Sequence, residues 1–189
     1  MIVCMIRHGE TDWNKSHLIQ GLTDNPLNDT GRRQALKVAD YLSAHERNWD
    51  LIVSSPLQRA VETGEIIARA IGYNNSIIIK EQFHERIFGS LEGKVLTEQT
   101  YNKIFQEKAP GLEKFEDLQK RILSGLIALE KDYKAEKILV CSHAQVIKSV
   151  IAYLDPNFDF RFPLKNSSLN YFHIMRGEIK IIKYNVVPK

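Results

Sequence analysis

The chain has 189 residues, 43% hydrophobic and 26% charged, with a formal net charge of +3. That balance excludes a disordered or fibrous chain and suits one globular domain over 1–189, able to bury its own core. So small a positive surplus gives no argument for a nucleic-acid or membrane partner, and no apolar run approaches the roughly 20 residues that span a bilayer.

Ile2 to Ile6 is a short apolar run and reads as a buried strand. It is too short for a signal-peptide core and has no basic segment before it, so a cytoplasmic protein is expected. Asn28 can cap a helix with Ala35, Val38, Ala39 and Leu42 on one face. Leu51 to Val53 is a second strand. Ser55-Pro56-Leu57-Gln58 reads as a helix start, with Ser55 as the cap, Pro56 in the first turn and Gln58 closing a capping box. That helix turns Ala60, Gly64, Ile67 and Ile71 inward and stops at Gly72.

Ile77 to Ile79 is a third strand. The segment 93–112 is polar, contains Pro110-Gly111, and is expected to form a short lid with one helical turn around Tyr101 to Phe105. Phe115, Leu118, Ile122, Leu126, Leu129 and Tyr133 mark a long amphipathic helix. Ile138 to Cys141 is a fourth strand, followed by a helix through Val146, Ile147, Val150 and Ile151 that ends at Asp155-Pro156. Tyr171 to Met175 and Glu178 to Tyr184, joined by Arg176-Gly177, form a terminal hairpin. Alternating strands and helices argue for an α/β fold. Cys4 and Cys141, the two cysteines, sit in strands and are expected as buried free thiols.

Reactive side chains follow the strands. Arg7-His8-Gly9-Glu10-Thr11 comes after the first, Arg59 after the second, His84-Glu85-Arg86 after the third and Ser142-His143-Ala144 after the fourth. Open parallel sheets bind ligands beyond the carboxyl ends of their strands, so these groups converge. Arginine forks match phosphate oxygens, helix starts near Ser55 and Ala144 offer N–H groups, and a neutral imidazole is a usable nucleophile. A carboxyl beside a phosphate is pushed toward its protonated form and can act as an acid. Glu10 and Glu92 are the other carboxylates near the motifs; His17, His45, His84 and His173 read as ordinary.

Competing chemistries fit badly. No phosphate-loop or dinucleotide glycine pattern is present. His84-Glu85 has Phe88 where a zinc helix needs its second histidine, and no Gly-x-Ser-x-Gly elbow exists. The residues six beyond Cys4 and Cys141 are Glu10 and Ile147, not the arginine of a cysteine phosphatase.

The ordered set resembles the histidine phosphatase superfamily, in its phosphoglycerate-mutase-like branch. Its pieces are Arg7 to Thr11, Trp13-Asn14, Gln20-Gly21, Asp24 to Leu27, Gly31 with Gln34-Ala35, and Ser54 to Leu57 with Arg59-Ala60 and Thr63. Glu85, Gly89 with Glu92-Gly93, and Ser142-His143 complete it. The resemblance implies a three-layer α/β/α sandwich on a mixed, mostly parallel six-stranded sheet with one antiparallel strand. It implies His8 as phosphorylated nucleophile, Glu85 as proton donor, and Arg7, Arg59 and His143 as the phosphate pocket. Asn14, Gln20, Gly21 and Ala144 match substrate-contacting positions, and neither a metal nor another cofactor is implied. Ala144 replaces the usual glycine, Leu18 a frequent arginine and Leu91 a frequent tryptophan; the two leucines are expected to flank the pocket. A short lid admits water, which favours a phosphatase of small phosphorylated metabolites over a mutase, and intact catalytic groups argue against a pure phospho-ligand-binding module. The sequence leaves the substrate and the oligomeric state open.

Overall fold

The computed structural model describes residues 1–188. Its strands are β1 (Ile2–Arg7), β2 (Leu51–Ser54), β3 (Ile78–Ile79), β4 (Lys137–Ser142), β5 (Leu169–Met175) and β6 (Glu178–Val186). They form one six-stranded sheet in the order β3-β2-β4-β1-β5-β6. The pairs β3-β2, β2-β4 and β4-β1 are parallel, and β5 runs antiparallel between β1 and β6. Only β5 opposes the rest, which is the mixed, mostly parallel sheet expected.

The helices are α1 (Asp12–Lys15), α2 (Asp29–His45), α3 (Gln58–Ala70), α4 (Glu98–Phe105), α5 (Phe115–Asp132) and α6 (Ala144–Leu154). Strand residues alternate between two cores, as the period of two demands. Val3, Met5, Ile138 and Val140 pack against α5 and α6. Cys4, Ile6, Leu139 and Cys141 pack against α2 and α3. The sheet is therefore the middle layer of an α/β/α sandwich. Leu118, Ile122, Leu126 and Leu129 of α5 are almost fully buried, each worth about 1.5–3 kcal/mol of transfer free energy. Both cysteines are free and buried.

Most helix signals hold. The Asn28 side chain accepts from the Gly31 N–H and caps α2. At the end of α3, Gly72 takes φ +71°, and the Tyr73 N–H reaches the Ala68 carbonyl at 2.9 Å, a glycine-closed turn. Arg176 and Gly177 both have positive φ, which matches the twist of a tight hairpin.

The start of α3 differs from the expectation. The helix begins at Gln58, not at Ser55, and Leu57 caps it without a side-chain bond. Ser55 is committed elsewhere: its Oγ lies 2.7 Å from His143 Nε2 and accepts the Leu57 N–H at 3.2 Å. The Gln58 N–H is satisfied from outside the helix by Asp24 Oδ1 at 2.7 Å. These N–H groups are consequently not free for a ligand.

The lid segment holds α4, whose Ile104 packs on a small third core of Ile19, Phe88 and Leu91. Leu91 is thus buried beneath the lid and does not flank the pocket, unlike Leu18, which does. An isolated bridge between Leu18 and Val95 ties the lid base to the loop after α1.

Candidate active site

The sheet order decides which side chains meet. Arg7 and Ser142 are register partners at the ends of β1 and β4, so His8 and His143 leave the sheet side by side. Their ring centroids are 5.2 Å apart. On the other side of β4, β2 leads into α3 and Arg59; beyond it, β3 and the turn Glu81–Phe83 lead to Glu85. Residues 7, 8, 59, 85 and 143 therefore share one edge of the sheet, as parallel topology requires.

His8 is buried and oriented. Its Nδ1 lies 2.7 Å from the Gly9 carbonyl oxygen. A carbonyl only accepts, so Nδ1 carries the proton and Nε2 keeps its lone pair. Burial, reinforced by Arg59 and Arg7, pulls the His8 pKa well below the usual imidazole range. The ring is thus neutral, the nucleophilic form, at ordinary pH. Its backbone is pinned too: Asn166 Nδ2 donates to the His8 carbonyl at 3.0 Å, and the Gly9 N–H donates to Thr63 Oγ1 at 3.1 Å. A Cβ on Gly9 would run into the Gly31 backbone, so only glycine lets the His8 loop sit against α2.

Around His8 stand donors without acceptors. Arg7 Nε, Arg59 Nε, Gln20 Nε2 and His143 Nδ1 are all buried with no hydrogen-bond partner within the protein. The other ends of these groups are anchored. Arg7 Nη1 donates to the Leu164 carbonyl; Arg59 donates to the carbonyls of Thr23 at 3.0 Å and Gly21 at 2.8 Å. Ser55 pairs with His143: its oxygen accepts from the Leu57 N–H and lies 2.7 Å from His143 Nε2. When the Ser55 hydroxyl donates in this pair, the His143 proton sits on Nδ1. Burial lowers both arginines, Arg7 to about 10, still charged at neutral pH. Buried orphan donors of this kind cost free energy until they meet an acceptor, so the cluster is built for an anion.

Glu85 faces this cluster. Its Oε1 accepts from the Arg86 N–H at 2.9 Å and its Oε2 from Gln145 N–H at 3.4 Å. Burial is the largest influence on it and raises its pKa, despite the opposing pull of those N–H groups, Arg59 and Arg7. Arg121 on α5 clamps the strand of chain that carries it, donating to the carbonyls of Gln82 (2.6 Å), His84 (2.9 Å) and Glu85 (3.2 Å). Glu113 in turn holds Arg121 through two bonds of 2.6 and 3.0 Å.

The site opens into a cavity of about 830 Å³. Arg7, His8, Arg59 and Glu85 line it, as do Asn14, Gln20 and Ala144 among the expected contact residues. Gly21 does not: its carbonyl holds Arg59, and a Cβ there would strike the Glu92 carboxylate. Glu92 is itself occupied by the N–H groups of Leu22 and Thr23, whereas Glu10 lines the cavity rim. His143 is buried beside His8 and does not line the cavity, and its Nδ1 has no partner within the protein. Among the described residues no group of three or more His, Cys, Asp or Glu could hold a metal ion.

Sequence reasoning missed the supporting residues. Ser55 has the signature of a helix cap but pairs with His143, and no local motif marks Asn166, Glu113, Arg121 or Lys148. Asn166, Glu113 and Arg121 lie far along the chain from the His8 and Glu85 motifs they support, whereas Ser55 and Lys148 lie in or next to the motifs. His17, read as ordinary, lines the cavity with φ 55°.

The comparisons agree with this fold. The model of the histidine phosphatase superfamily (branch 1) matches residues 3–187. The uncharacterized phosphatase PhoE of Bacillus subtilis is 36% identical, over 97% of this chain and 94% of its own length. A phosphoserine phosphatase of Entamoeba histolytica, crystallised with phosphoserine, superposes with a TM-score of 0.81 at 27% identity, covering 97% of this chain and 96% of that one. A phosphoglycerate mutase of Bacillus anthracis shares the fold, with a TM-score of 0.85 at 19% identity over 98% and 93% of the two chains. With family motif, sheet order and convergent site in agreement, the chain belongs to the histidine phosphatase superfamily, branch 1.

Proposed function

We propose that this protein is a metal-independent phosphatase that hydrolyses small phosphomonoesters through a phosphohistidine on His8. The observation that carries the reading is the ring of orphan donors, Arg7 Nε, Arg59 Nε, Gln20 Nε2 and His143 Nδ1, around an imidazole whose Nε2 is free. In the first step His8 Nε2 attacks phosphorus, the bond to the ester oxygen breaks, and protonated Glu85 gives that oxygen its proton. In the second step water attacks phosphorus, Glu85 takes the water's proton, and the His8 lone pair returns as phosphate leaves. Arg7 and Arg59 neutralise the transferring oxygens, which removes the need for a divalent ion. The short lid, with α4 set on its own small core, leaves the cavity open to the water the second step uses.

The test follows the phosphoryl group. Incubation with a labelled phosphomonoester should give an acid-labile, base-stable label on His8 and release inorganic phosphate, with excess chelator present throughout. Phosphoryl transfer between carbons of a phosphoglycerate would make it a mutase instead. Binding without label or release would leave a ligand-binding module.

A further inference from the structure

Beyond the phosphate end, the cavity has one wall from α6. Ala144, Lys148 and Ala152 line it at a spacing of four, the same face of the helix. Lys148 is 8% exposed. Its Nζ donates to the Phe160 carbonyl at 2.9 Å and lies 5.6 Å from the Phe160 ring centroid. No carboxylate comes within ion-pair reach of it among the described residues. A buried ammonium with one carbonyl and one ring for company is undercompensated, and the open side of the group is the cavity. Phe160 and Phe115 meet edge to face at 5.1 Å and both line the same space. Tyr101 and Ile104 of α4 add further apolar lining. Four residues of helix are a rise of about 6 Å, so the Lys148 backbone sits one turn beyond Ala144.

We propose that Lys148, with the Phe115–Phe160 wall, is a leaving-group subsite for a flat apolar or aromatic skeleton that carries a second anionic group. The wall takes the skeleton and Lys148 takes the anion, either a carboxylate or a second phosphate. The inference rests on the phosphatase reading only in placing the first phosphate at His8.

Binding is the decisive readout, measured by calorimetry in His8→Ala protein so that no turnover intervenes. The ligands are phenyl phosphate, 3-carboxyphenyl phosphate and 1,3-phenylene bisphosphate. At least one of the two doubly anionic esters should bind about tenfold or more tighter than phenyl phosphate, the scale of one charged hydrogen bond. The tighter of the two identifies the anion. In His8→Ala/Lys148→Met that advantage should vanish, and Lys148→Arg should keep it. Equal affinity for all three esters in His8→Ala, or an advantage that survives Lys148→Met, overturns the subsite.

A second measurement needs no Lys148 variant. Burial, with Arg7 nearby, pulls Lys148 down to about 8, against Glu85 and Asp159, which pull it up. An anion on it should raise that value, so at pH 8.5 the doubly anionic ester should take up more protons on binding than phenyl phosphate does. Equal uptake counts against the subsite even if Lys148→Met fails to fold. Wild-type protein that releases phosphate from none of the esters, with the affinity difference intact, overturns the phosphatase reading alone.

Discussion

The His8 and His143 rings stand 5.2 Å apart at an interplanar angle of 58°, and neither competes with the other for the same proton. His8 donates its Nδ1 proton to the Gly9 carbonyl and keeps Nε2 free; His143 Nε2 lies 2.7 Å from Ser55 Oγ, and its Nδ1 has no partner within the protein. With Ser55 donating to Nε2, one imidazole offers a lone pair and the other a donor, and burial pulls both pKa values well below the usual imidazole range. This division makes Ser55 testable. Ser55→Ala should let His143 take the wrong tautomer and should lower kcat/KM by about tenfold, the scale of one buried hydrogen bond. Unchanged kcat/KM would show that the tautomer of His143 does not matter.

Arg59 has two jobs in this geometry. Its two terminal nitrogens hold the Thr23 and Gly21 carbonyls, and its Nε has no partner within the protein. Arg59→Ala should cost about 10²-fold or more in kcat/KM, with a rise in the inhibition constant of inorganic phosphate. It should also lower the melting temperature, because the buried Gly21 carbonyl and the half-buried Thr23 carbonyl lose their donors. If KM alone rose, Arg59 would act by uniform binding and not in the transition state.

Stability should track the buried imidazoles. The folded pKa values of His8 and His143 are depressed, so the native state refuses protons that the unfolded chain accepts below about 6.5. Their contribution is fully present above that pH and is lost as pH falls, at up to about 1.4 kcal/mol per pH unit for each histidine. Urea midpoints at pH 7.5 and 5.5 should differ accordingly, and His8→Gln should shrink the difference. An equal difference in the variant would mean that His8 is charged in the folded protein.

Much of this was legible because it is local. Periodicity places α2, α5 and α6, and the Arg7-His8 and Ser142-His143 motifs lie at strand ends where a parallel sheet gathers ligands. What was hidden depends on contacts between distant segments. The Ser55-Pro56 signal is a sound helix start in isolation, but the Ser55 hydroxyl is taken by His143, a residue 88 positions away. Gly21 matches a family motif, yet its place is set by Arg59 and Glu92, neither visible in the local sequence. Leu91 stands where the motif suggests the pocket, and the third core draws it inward.

The proposed acid is the most exposed to disproof. Glu85 is buried and its pKa is raised, so it holds its proton to higher pH than a surface carboxyl, and the Arg121 clamp fixes its backbone. An alkyl phosphate has a poor leaving group and needs that proton; a nitrophenyl phosphate has a good one and scarcely needs it. Glu85→Gln should therefore slow phosphoenzyme formation far more for the alkyl ester. On the alkyl ester, wild-type kcat/KM should fall as pH rises through the Glu85 pKa, and the variant should lose that limb. With nitrophenyl phosphate the variant should form phosphoenzyme quickly and then stall, because water lacks its base. Rapid mixing should show a burst of nitrophenol followed by slow turnover, while His8→Ala should show no burst with either ester. Equal slowing of the first step on both esters in Glu85→Gln would exclude this carboxylate as the acid. Glu92 could not replace it, since Leu22 and Thr23 hold its carboxylate and keep its pKa low. Glu10, at the cavity rim, would be the group to test next.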